Sequence, residues 1–252
     1  MTNKLKYFIA NWKMYGDLSS LKIVTSIDTF LLKNKKNFNI RVITCIPSTL
    51  IYHFSLKLKN SRVVIGAQNC HYEENSGSFT GSINTSMLKK IGAKYVLIGH
   101  SENRNENDSN KIIKKKIISA LNKKLNVIFC IGETLQNKRK NETFKVLKKQ
   151  INESLDKKFD FNKIIFAYEP IWSIGSGNII KSTDLKKTVS YIKKYIIKKF
   201  KKNKFPKVLY GGSINSTNIK NFTKIPELDG FLVGGASRSS KKFIDIIRNY
   251  YK

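Results

Sequence analysis

Apolar and polar positions along the chain repeat as one unit. Short apolar runs, YFIANWK, IRVITCIP, VVIGAQN, YVLIGHS, NVIFCIGE, KIIFAYEP, KVLYGGS and DGFLVGGAS, have the length of strands, and there are eight of them. Longer amphipathic stretches lie between them, such as LSSLKIVTSIDTFLLK, NKIIKKKIISALNKK and KKTVSYIKKYIIKKF. In the last, Val189, Ile192, Ile196 and Phe200 recur at helical spacing. That spacing predicts a helix, with the intervening lysines on its solvated face and their stems covering apolar surface. Strands alternating with helices predict parallel pairing through crossover helices. Runs apolar on both faces suit strands covered on both sides. An open doubly wound sheet meets these conditions too, but eight units in 252 residues match an α/β protein of the (β/α)8 barrel type. No Pro/Gly/Ser-rich linker divides the chain, so residues 1–252 are expected to form a single barrel domain. The longest connection, HYEENSGSFTGSINTS after the third strand, has a length that is uncommon without a job.

Charge changes the picture less than its size suggests. The chain carries 48 Lys+Arg against 17 Asp+Glu, a formal +31, which invites a nucleic-acid reading. The lysines are spread along the whole chain, however, and no basic tail or aromatic-basic RNA motif gathers them. Asn and Ile are abundant as well, so the composition fits A+T-rich coding, and no specific nucleic-acid partner is expected. No apolar run reaches the roughly 18 residues of a membrane span. The start, MTNKLKYFIANWKMYG, lacks a signal-peptide core and cleavage site. Cys45, Cys70 and Cys130 show no CxxC spacing, and their odd number suits free thiols in a reducing cytoplasm. No His/Cys/Asp/Glu cluster has metal-ligand spacing, so no metal is expected.

Candidate chemistry collects at the C-terminal ends of the strands. Asn11 and Lys13 follow FIA, His100 follows VLIG, Glu133 follows FCIG, and Glu169 follows IFAY. Ser213 follows LYGG, and Gly234 and Gly235 follow FLV. In a barrel these ends share one face, where such enzymes keep their active sites. Of the three histidines only His100 ends a strand, because His53 falls in a helical pattern and His71 in the long loop. Paired glycines after the last two strands suit a phosphate cradle of backbone N–H groups, although each pair alone could be a tight turn. In AYEPIWSIGSG, Pro170 holds Glu169 in extended chain, while Gly175 and Gly177 let the following segment bend. A base under a lid and an ordinary surface turn both fit that stretch alone. A shared barrel mouth favours the base.

The motifs ANWKM, GAQN, FTG, IGHSE, CIGETL, AYEPIWSIGSG, YGGS and DGFLVGGAS occur in the order found in triosephosphate isomerases, and the chain resembles that family from end to end. The resemblance implies a TIM barrel that interconverts dihydroxyacetone phosphate and glyceraldehyde 3-phosphate without cofactor or metal. It implies Glu169 as the carboxylate base and His100 as the neutral imidazole that polarises the substrate oxygens, with a helix starting at Ser101 and Glu102. Lys13 and Asn11 match groups that hold substrate and stabilise its charge. Gly175, Ser213, Gly234 and Gly235 match phosphate contacts. Glu102 matches a buried carboxylate beside the site, and Tyr210 resembles a hydroxyl that latches the closed lid. The resemblance also implies a homodimer through the loop around Phe79 and Thr80. Departures from the family pattern are Tyr15, Ser82 and Asn103, together with Asn178, Ile179 and Ile180 after the lid. They bear on dimer contacts and lid hinge rather than on catalytic groups. Another phosphate-binding barrel enzyme, such as a relative of indole-glycerol-phosphate synthase, would share the glycine clusters but need not share both His100 and the lid around Glu169.

Overall fold

The structure is a computed structural model and describes residues 4–34 and 38–252. The reading that the N-terminal stretch is no signal peptide falls partly on residues 1–3, outside the described residues. Strands β1 (Lys6–Asn11), β2 (Ile40–Ile46), β3 (Val63–Ala67), β4 (Tyr95–Ile98), β5 (Asn126–Ile131), β6 (Ile164–Tyr168), β7 (Lys207–Tyr210) and β8 (Gly230–Val233) pair in sequence order and close into a barrel. Every pairing is parallel, including the β8–β1 seam. The described helices are α1 (Leu21–Lys33), α2 (Ser48–Lys57), α3 (Thr85–Lys90), α4 (Ser101–Asn105), α5 (Asn110–Asn122), α6 (Leu135–Arg139), α7 (Thr143–Ser154), α8 (Ser182–Phe200) and α9 (Ser240–Tyr251). All eight apolar runs are therefore strands of a (β/α)8 barrel, as the pattern predicts.

Alternation along each strand builds two cores. Ile9, Ile43, Leu97, Ile128, Ile165, Leu209 and Leu232 point inward and fill the barrel. Phe8, Val42, Val96, Phe129, Phe166 and Phe231 point outward and meet the helices. Gly230 makes the closing seam possible: its φ is 152°, and a Cβ there would collide with the Tyr7 backbone. Cys45, Cys70 and Cys130 are free and buried, and burial pushes the Cys45 and Cys70 thiols up to about 12. No described helix is long and apolar enough to cross a membrane.

On α8 the expected apolar stripe is buried, but one lysine departs from the solvated-face reading. Lys193 is buried and bonds Asp229 Oδ2 at 2.6 Å. Its position, four residues after Val189 and three before Ile196, lies on the apolar stripe. The barrel sets Asp229, just ahead of β8, against it. In α5, Lys116 is likewise buried, with both Asp108 oxygens at 2.7 Å and Asn69 Oδ1 at 2.9 Å.

Candidate active site

Parallel closure brings the strand-end residues to one mouth. Asn11, Lys13, His100, Glu169, Gly175, Ser213, Gly234 and Gly235 all line one cavity of about 430 Å³, together with Ile174, Gly177, Leu232 and Arg238. Of the remaining residues named from the sequence, Ser101 and Glu102 flank His100 on α4, and Tyr210 ends β7 beneath the lid.

Each side chain is set by its local backbone. Asn11 is the last residue of β1, and its Oδ1 accepts the Lys13 N–H at 3.1 Å. Lys13 stands in the left-handed region at φ 57°, uncommon for a residue with a side chain. Gln68 Nε2 donates to the Lys13 carbonyl at 2.9 Å and helps hold that turn. Such retained strain is a mark of functional sites. His100 caps α4, and its Nδ1 accepts the Glu102 N–H at 3.3 Å. An accepting Nδ1 puts the proton of the neutral ring on Nε2, which faces Glu169 Oε1 at 3.7 Å.

Glu169 sits one residue beyond β6, where its N–H donates to the Ile131 carbonyl at 2.8 Å. It is buried, and its Oε2 has no hydrogen-bond partner. The neighbouring glycine makes room for it, because a Cβ on Gly211 would come within 2.7 Å of Glu169 Cγ. Burial, and then the adjacent Glu169 carboxylate, push the Cys130 thiol up.

The segment expected to act as a lid, residues 170–177, is tied down on both sides. At its start, Trp172 Nε1 donates to Glu133 Oε1 at 2.9 Å, and the Tyr168 hydroxyl reaches the same oxygen at 3.2 Å. Burial raises the Glu133 pKa, against the pull of those two bonds. At its far side, Gly177 N–H donates to Ser213 Oγ at 3.1 Å, and Ser213 Oγ donates to the Ser173 carbonyl at 2.7 Å. The Tyr210 hydroxyl meets Ser173 Oγ at 3.0 Å and the backbone of Ile180. Burial raises the Tyr210 pKa, and those two partners pull it back. Gly175 and Gly177 take φ of 67° and 78° with open space beside them, so the tip bends as its glycines allow. Gly234 and Gly235 also border open space. They lead into a 3-10 turn, Gly235–Arg238, rather than an α-helix.

Comparison with known proteins gives one answer. The family model described as triosephosphate isomerase matches residues 6–250. The triosephosphate isomerase of Dictyoglomus thermophilum is 38% identical over 249 residues, covering 97% of this chain and 99% of the relative. That of Dictyostelium discoideum is 36% identical over 254 residues, covering 99% and 98%. The crystal structure of the Bartonella henselae enzyme superposes with a TM-score of 0.88 at 31% identity, covering 98% of this chain and 99% of that one. The chain belongs to the triosephosphate isomerase family.

Membership in a family of isomerases makes the departures readable. Tyr15 is part-exposed, packs edge-on against Trp12, and lies under the Arg238 guanidinium at 5.0 Å. Ser82 and Asn103 are uncharged, and neither enters an ion pair. Ile180 serves Tyr210 through its backbone, so the altered residues 178–180 keep that bond whatever their side chains. One expectation from the resemblance needs correction: the Glu102 side chain is 55% exposed, not buried. It lies in the first turn of a short rim helix and reaches outward to Lys13 Nζ at 2.6 Å. Glu133, which the sequence places among the strand-end candidates without a role, holds Trp172 at the start of the lid segment. Three further contributors are not named from the sequence. Arg104 donates to the Gly99 and Cys130 carbonyls at 2.7 and 3.1 Å, staking the end of β4 to that of β5. Ser173 joins lid to β7, and Arg238 lines the cavity.

Proposed function

We propose that the protein interconverts dihydroxyacetone phosphate and glyceraldehyde 3-phosphate through an enediolate. The observation that carries this reading is the pairing of Glu169 and His100, 3.7 Å apart, in a cavity that also holds Lys13 and the glycine turns. The Glu169 carboxylate removes the proton from the carbon beside the substrate carbonyl. The Nε2–H of His100 donates to the oxygen that becomes negative, and Asn11 and Lys13 stabilise the same charge. Protonated Glu169 then returns the proton to the neighbouring carbon, while the hydroxyl proton of the enediolate passes from one substrate oxygen to the other beside His100 Nε2. Gly175, Ser213, Gly234 and Gly235 serve the phosphate, mostly through backbone N–H groups. Lid closure excludes water, which strengthens each of these interactions and protects the enediolate. Ser101 supports the site as the first residue of the helix that His100 caps. A coupled assay of the purified protein with glyceraldehyde 3-phosphate tests the reading: turnover that vanishes in Glu169→Gln supports it, and a parent protein without turnover refutes it.

The active form in this proposal is a cytoplasmic homodimer joined through the loop around Phe79 and Thr80. Support comes from apolar side chains left in water near that loop and the loop after β1: Met14 is 99% exposed, and Tyr15 and Phe79 are each more than 40% exposed. Two subunits of this charge repel, and salt screens that repulsion. Sedimentation should therefore show a dimer that tightens with moderate salt. An active monomer at all concentrations would remove the dimer from the account.

A further inference from the structure

We propose that Arg238 is a second cation for the substrate phosphate, an inference that rests on the triose-phosphate reading above. Arg238 ends the 3-10 turn that Gly235 begins, and it lines the same cavity as Lys13, Ser213, Gly234 and Gly235. Its guanidinium lies 5.0 Å from the centroid of the Tyr15 ring. Stacking on an aromatic face orients a guanidinium without using up its N–H donors. The guanidinium enters no ion pair among the described residues. Nε is buried within the protein, so the outer N–H groups of the fork are the donors that a ligand in the cavity can take up.

The other cation of the cavity is already engaged. Lys13 Nζ lies 2.6 Å from Glu102 Oε1, so its charge is shared with a carboxylate and serves the reacting oxygens as well as the phosphate. Gly175, Gly234 and Gly235 supply only backbone dipoles. Arg238 adds a full charge, and a planar fork suited to phosphate oxygens. Tyr15, one of the departures from the family pattern, acquires a purpose in this arrangement: it is the plate on which the arginine rests.

The test uses Arg238→Leu, which removes the charge, and Arg238→Lys, which keeps it. Calorimetry with inorganic phosphate reads the cation directly and does not depend on turnover. Arg238→Leu should weaken phosphate binding roughly tenfold, the scale of one charge-assisted hydrogen bond, and Arg238→Lys should recover part of it. In steady state, the ratio of kcat/KM for glyceraldehyde 3-phosphate to that for phosphate-free glyceraldehyde should fall by a similar factor in Arg238→Leu. Unchanged phosphate affinity would overturn the proposal. So would an equal loss on both substrates, because that pattern means Arg238 acts only by shaping the loop after β1. If the parent fails to isomerise glyceraldehyde 3-phosphate, the functional reading is wrong, while the calorimetric result still decides whether Arg238 binds phosphate.

Discussion

The two ends of the barrel are built from the same kinds of residue and treat them oppositely. At the N-terminal end, Asp229 Oδ2 holds Lys193 at 2.6 Å and accepts the Val208 N–H at 2.8 Å, while its Oδ1 meets Lys4 at 2.7 Å. Lys6 Nζ donates to the Leu228 carbonyl beside them. Asp229, Lys193, Lys4 and Lys6 are all partnered there, and of the charged groups beside them Glu227 alone keeps a buried oxygen, Oε2, without a hydrogen bond among the described residues. At the C-terminal end, Glu169 Oε2 has none, Lys13 stands at φ 57°, and the lid bends through two glycines of positive φ. A packed barrel interior drives polar groups to both rims. A rim whose groups are satisfied holds the fold together. A rim whose groups are strained or unpaired keeps interaction free energy in reserve for a ligand.

Mutations at the two rims should therefore separate activity from stability. The largest expected effect is Glu169→Gln, which should lower kcat by about 10²–10⁴-fold, the usual worth of a positioned base. Its unfolding free energy in urea should stay at the parent value, because no partner is lost. Near-parent turnover would break the comparison at the mouth. Next is Asp229→Asn, which leaves Lys193 buried without its counter-charge and should cost about 3–5 kcal/mol of stability. Its kcat, measured while folded, should not change. A stability loss near zero would mean that the base is no better tied than the mouth.

Smaller effects sharpen the contrast. Tyr210→Phe removes a hydroxyl that meets both Ser173 and Ile180, a loss of about 1 kcal/mol per bond from the lid's anchorage. The enediolate should then escape to water more often and eliminate phosphate, seen as more methylglyoxal per turnover; an unchanged product ratio counts against the latch. The last effect is a pH dependence at the base. Burial lowers the Lys6 pKa to about 8, with Lys4 adding to the shift, against the ordinary 10.5. The unfolded chain then binds more protons between those values, so the Lys6 contribution to stability rises as pH climbs from about 8 to 10.5. The stability of the parent relative to Lys6→Met should rise across that window, as read by urea unfolding. A fall would reverse the sign.

Much of this was legible in the sequence because the relevant signals are local. Strands buried on both faces are continuous apolar runs, and the residues that follow them reach the mouth whatever the details of packing. Pro170 and the glycines after it mark the lid by backbone geometry alone. What was hidden depends on contacts made only when the barrel closes. Lys193 sits at a helical-stripe position but reads as surface until Asp229, 36 residues away, is brought to it. Glu102 looks like part of a buried motif, yet its exposure is set by how a five-residue helix lies on the rim. Arg238 lies in an unremarkable ASRSS stretch, and only the fold lays it over Tyr15.

In the proposed reaction Glu169 carries a proton between adjacent substrate carbons beneath the lid. Running the isomerisation in deuterated water and analysing the product by NMR tests it most directly. Deuterium should appear at the carbon that receives the proton, because a carboxylic acid formed during turnover exchanges with solvent, and Glu169→Gln should incorporate almost none. Deuterium appearing as fast in Glu169→Gln as in the parent would contradict it.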